Sequence, residues 1–157
     1  MRRIRNQFIN IAVFVTVILG FNLMHQFDYA ASAQERYRED PRLRKSRARD
    51  ALMNAMRLNA SVEVMLRQGS EDTGKMIKML SESYGWQVKS ITQIEGVVRE
   101  ASFKDPTMER GIKDMYDIGK PCTQAAEGDI KNGDFDHALG LLAQAKLAHQ
   151  RFLILTY

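Results

Sequence analysis

The sequence predicts an all-α protein: an up-down-up-down antiparallel four-helix bundle preceded by an N-terminal hydrophobic export or anchor helix. Three observations predict it. Apolar residues recur at steps of three and four, with no sustained strand alternation. Helix start and stop signals divide residues 42–157 into four segments whose links are too short for anything but antiparallel neighbours. Before them, a basic start (Arg2, Arg3, Arg5) leads into the nearly unbroken apolar stretch Phe8 to Phe21.

Residues 1–33 read as a signal peptide or signal anchor. Ala31-Ser32-Ala33 supplies the small-x-small pattern of a cleavage site, and cleavage after Ala33 is the expectation. An uncleaved anchor is the rival, because Phe8 to Met24 reaches the short end of the roughly 17–25 residues that span a bilayer. Both readings put the rest of the chain in the periplasm or on the extracytoplasmic face of the inner membrane. The basic-rich stretch 34–50 favours the opposite orientation, but the nearer flank, His25 to Ala33, contains no Lys or Arg.

Residues 34–41 form a charged linker. The chain of 157 residues has a formal net charge of +4, and the basic excess is concentrated before residue 51. That local excess suits a solvated linker, anionic lipid headgroups or an acidic partner, and no nucleic-acid partner is expected.

The first helix opens at Asp40-Pro41, an N-cap followed by proline at the first helical position, and closes at Gly69; its stripe is Leu52, Ala55, Met56, Val62 and Leu66. Asn59 and Glu63 fall beside that stripe, at its wet edge or lining a small-ligand pocket between helices. Ser70-Glu71-Asp72 caps the second helix, whose stripe (Ile77, Leu80, Tyr84, Ile91, Ile94, Val98, Ala101) stays in register through Gly85 if Gln87 fills one slot.

Asp105-Pro106 opens the third helix, with Met108, Ile112, Met115, Gly119, Cys122, Ala126 and Ile130 inward. Pro121 is expected to kink or break it. Asn132-Gly133-Asp134 makes the last turn, and Phe135, Ala138, Leu142, Ala145, His149 and Phe152 form the stripe of the fourth helix.

Catalytic patterns are missing: there is no HExxH, no GxSxG and no Glu-x-x-His, so no enzyme is expected. The single cysteine, Cys122, excludes an intramolecular disulfide and a Cys-cluster metal site. GSEDTGKM (69–76) stops one residue short of a phosphate-binding loop, since Met76 stands where a hydroxyl should hold magnesium; it reads as a helix turn. The sequon Asn59-Ala60-Ser61 lies in a helix and is discounted. Nine methionines, with pairs at Met53/Met56 and Met76/Met79, offer thioethers on shared helix faces, as a soft-metal site or as core filler.

His149 lies on the inward stripe of the fourth helix. Met53 and His149 stand equally far from the same end of antiparallel helices, about 22 Å at a rise of about 1.5 Å per residue. With His149-Gln150-Arg151-Phe152 late in the chain, Pro106-Thr107-Met108 and the Gly133 turn, the sequence resembles the small periplasmic haem b cytochromes built as four-helix bundles. That resemblance implies haem b with Met53 or Met56 and His149 as axial iron ligands, and electron transfer as the activity. Two departures stand against it. An ungapped alignment from Gly133 puts Leu153 at the family's ligand position, and Met53 lies deeper in the chain than the family's methionine.

The chain also resembles, more loosely, the periplasmic sensor bundles of chemoreceptors, which implies a ligand-sensing accessory role. The plainer expectation for His149 is a core histidine bonded to a backbone or side-chain oxygen. The leading functional expectation is a non-enzymatic extracytoplasmic binding protein without a cofactor. It would take a small ligand between its helices or a partner protein through an exposed apolar end at Phe152, Leu153 and Leu155.

Overall fold

A computed structural model describes residues 40–100 and 105–156, all within the compact unit Asp40–Tyr157. The expected signal or anchor segment 1–33, linker residues 34–39 and the stripe position Ala101 lie outside the described residues. Every regular element described is helical: α1 Pro41–Arg67, α2 Thr73–Glu100, α3 Pro106–Asp114, a π-helical turn Met115–Gly119, α4 Lys120–Asn132 and α5 Phe135–Thr156. No described helix is long and apolar enough to cross a membrane.

The ends follow local chemistry. Asp40 accepts from the Arg42 N–H at 2.8 Å, and Asp105 accepts from Thr107 and Met108, each just before a proline that has no N–H to satisfy. Gly69 and Gly133 take positive φ, 68° and 78°, where a side chain would be strained. GSEDTGKM is the α1–α2 turn, with Asp72 accepting from the Lys75 N–H at 3.0 Å.

Pro121 neither breaks nor ends its helix. Just before it the backbone widens into the π-helical turn, in which the Lys120 N–H reaches back to the Met115 carbonyl. The wider turn accommodates a ring that has no N–H and crowds the preceding carbonyl. Counting α3, the π-turn and α4 as one limb, each of the four limbs packs against two others. α1 packs on α2 and α5, and the third limb packs on the same two helices.

Two apolar clusters form along the limbs. One, nearest the Gly69 and Gly133 turns, contains Val62, Leu66, Met76, Leu80, Ala126, Ile130, Ala138 and Leu142. The other contains Ala48, Leu52, Ala55, Ile91, Ile94, Met115 and Phe152. Small residues let α1 and α2 approach closely: the hydroxyls of Ser83 and Ser90 donate to the Ala55 and Ala48 carbonyls at 3.0 and 2.7 Å.

The stripes are largely as expected, with corrections. Phe135, at the first position of α5, is 37% exposed. In α3 the fully buried residue is Gly111, while the expected inward residues Met108 and Ile112 are half-buried and pack against the second cluster. Phe152 is 1% exposed and belongs to the core, so it is not part of an exposed apolar end. Leu153 and Leu155 are half-buried, and the side chain that does face outward there is Ile154, 74% exposed. The expectation failed because helical period alternates the faces of 152–155, putting Phe152 one turn beyond His149 on the inward side.

Candidate functional site

Between the two apolar clusters each limb contributes polar side chains to one layer: Asn59 from α1, Ser83 and Gln87 from α2, Thr123 from α4 and His149 from α5, all buried. Thr123 is its hub. Its hydroxyl accepts from Gln87 Nε2 at 2.9 Å and from Asn59 Nδ2 at 3.3 Å, and donates to the Gly119 carbonyl at 2.9 Å. Gln87 Nε2 also donates to Ser83 Oγ at 3.4 Å. Thr123 is thus saturated, while Asn59 Oδ1 and Gln87 Oε1 have no partner.

His149 is 0% exposed, and neither ring nitrogen has a hydrogen-bond partner. The core histidine bonded to an oxygen, expected from the sequence, is therefore not what the structure contains. A buried polar group without a partner costs about 1–3 kcal/mol. Burial alone pushes the His149 pKa down from 6.5 to about 4, so the ring is neutral around pH 7. One side of it packs at Gly119: a Cβ there would meet Met115 Sδ at 3.0 Å and His149 Cδ2 at 3.5 Å.

Away from Gly119, His149 borders a cleft of about 230 Å³ between α1 and α5, which Asn59, Met53, Met56, Arg57, Glu63 and Lys146 also line. The predicted site residues Met53, Met56 and His149 are thus brought to one cleft, and Asn59 and Glu63 join them. Met53 is 45% exposed at the surface, and Met56 is half-buried. Met76 and Met79 behave differently: Met76 is fully buried in the turn-side cluster and Met79 packs against it.

A larger hollow of about 370 Å³ is lined by Pro41, Lys45, Val97, Val98 and Met108 among others, but none of its lining residues has an unpartnered buried polar atom. Cys122 is a buried free thiol that donates to Gln144 Oε1 at 3.6 Å, and burial raises its pKa.

The donor types at the cleft, an imidazole and two thioethers, fit haem iron chemically. The space does not fit. The cleft is smaller than the roughly 300–1,000 Å³ of sites for drug-sized ligands, and a haem would enter only if α1 and α5 parted. Sequence reasoning missed Thr123, Ser83 and Ser90. Their signal was present, since each falls on an inward position of its helix, but single hydroxyls in an apolar stripe are easily read as neutral filler.

No protein family, curated protein or solved structure matches the chain. The class of protein rests on the helical architecture and the half-satisfied polar layer opening on one cleft.

Proposed function

We propose that this is a non-enzymatic extracytoplasmic binding protein, its limbs arranged as an up-down-up-down antiparallel four-helix bundle, and that it takes a small ligand into the α1–α5 cleft. The observation that carries the reading is His149: a fully buried imidazole with both nitrogens unpartnered, bordering a cleft where Asn59 Oδ1 is also unpartnered. Native cores rarely leave such groups unmatched, and a bound ligand supplies the missing partners. His149 makes no hydrogen bond to a carboxylate or a nucleophile, the pairing that general-base chemistry uses. The basic start and apolar stretch of residues 1–33 support export.

The test is a screen of the full-length protein in detergent micelles against metal ions and small polar molecules, reading the thermal midpoint and the His149 ring resonances. At least one probe should raise the midpoint by linkage and move those resonances. The same probe should do neither in Ala60→Phe, whose ring would fill the cleft that exposed Ala60 borders. If no probe moves His149 and Ala60→Phe only raises the midpoint, the cleft is a packing gap and the reading fails.

Haem b is the second reading: Met53, Met56 and His149 line the same cleft, but α1 and α5 would have to part to admit the group. Its test is the visible spectrum of the full-length protein expressed with haem available. The reading predicts a Soret band that changes in His149→Ala. No band, or a band that survives the substitution unchanged, ends it.

A further inference from the structure

The two methionine pairs have the same spacing and opposite environments. Met76 and Met79 pack within the turn-side apolar cluster. Met53 and Met56 line the cleft that His149 borders from the facing helix. Residues three apart on a helix are surface neighbours, so the two thioethers lie on one wall.

We infer that the cleft binds a single soft monovalent metal ion of the cuprous class, with a ring nitrogen of His149 and the thioethers of Met53 and Met56 as its ligands. The inference rests on the ligand-binding reading above and names the ligand. Thioethers are soft donors that select such ions, and three neutral ligands leave the ion its single charge. Hard divalent cations are poorly served: calcium takes six to eight oxygens, and the cleft offers one carboxylate, Glu63, with Arg57 and Lys146 beside it. Among the described residues, no group of three or more His, Cys, Asp or Glu side chains is placed to hold an ion.

The orphaned polar atoms fit the same assignment. A metal-bound histidine characteristically donates its other ring N–H to an oxygen. Asn59 Oδ1, in the same cleft, is unpartnered and makes no hydrogen bond to His149 in this structure, so that pairing would form on ion binding. The ion itself supplies a partner to one of the two orphaned His149 nitrogens. Met53 is 45% exposed, so its thioether is reachable from solvent.

The experiment titrates the full-length protein in micelles with Ag(I), a redox-inert ion of the same class, while observing methionine ε-methyl and histidine ring resonances. Cu(I) affinity is then measured anaerobically against a chromogenic chelator. One Ag(I) per chain should shift Met53, Met56 and His149 together and leave Met76 and Met79 in place. Met53→Leu, at a half-exposed position that the fold does not depend on, should weaken Cu(I) binding at least 10-fold, and Met56→Leu likewise. Shifts confined to other methionines, or an affinity unchanged in the Met53→Leu/Met56→Leu double variant, overturn the inference. A titration silent at all three ligands also overturns it. The ligand-binding reading then stands or falls separately, on whether another probe moves His149 in the wild type and not in Ala60→Phe.

Discussion

The turn-side cluster and the polar layer beside it are built by the same four limbs, yet they solve burial differently. In the cluster, Val62, Met76, Leu80, Ala126, Ala138 and Leu142 are all fully buried and need nothing beyond contact. In the layer, one hydroxyl at Thr123 serves two amides, leaving two amide oxygens and a whole imidazole unmatched. Dispersion and hydrophobic burial are non-directional, so a cluster closes when its volume is filled. Hydrogen bonds must be counted atom by atom, and here the count does not close within the protein. Of the unmatched groups, His149 and Asn59 border the α1–α5 cleft, and Gln87 does not.

The largest expected effect lies in the closed region. Leu80→Ala, at a fully buried position, should destabilise by about 2–5 kcal/mol in denaturant unfolding, through lost burial plus the cavity left behind. Next comes the acid response of the layer. The folded pKa of His149, about 4, lies below its ordinary 6.5, so the folded state binds fewer protons. The associated stability is fully present above pH 6.5 and is lost as pH falls through 4, by about 3 kcal/mol in all. Stability measured against pH should lose that component in His149→Leu; an unchanged profile would show that the ring is not buried neutral.

Thr123→Val should cost about 2 kcal/mol, because it strands the Asn59 amide donor and leaves Gln87 Nε2 with only the 3.4 Å bond to Ser83. The smallest effect has the opposite sign. At pH 7 and without ligand, His149→Leu should be neutral or stabilise by about 1 kcal/mol, since it removes unpartnered nitrogens and keeps most of the volume. A loss of several kcal/mol there would mean that the imidazole packs as a required core element, and the contrast between the two regions would weaken.

Much of the architecture was legible because it is encoded locally. Asp40-Pro41, Asp105-Pro106 and Gly133 each act within a few residues, and the structure uses all three as caps or turns. Gln87 was readable as an inward residue from period alone, and it is fully buried. Phe135 was misplaced because a stripe was extended to the first residue of its helix, where the end of the cluster leaves it half-covered. The π-helical turn was not legible: proline announces a disturbed backbone, but kink, break and widening differ only in how neighbouring helices hold the chain.

The site divides the same way. Met53 and His149 were expected at one level from helical rise and an expected antiparallel order, and the structure has both lining one cleft. The sequence by itself determined the helix ends, the inward faces and the residue types that meet at mid-height. Only the tertiary structure decided which of those polar atoms are satisfied. The two amides that donate to Thr123 come from 64 and 36 residues away along the chain, and His149 finds no partner. Hydrogen bonding depends on distance and direction at the scale of one atom, and no period in the sequence specifies that across two helices.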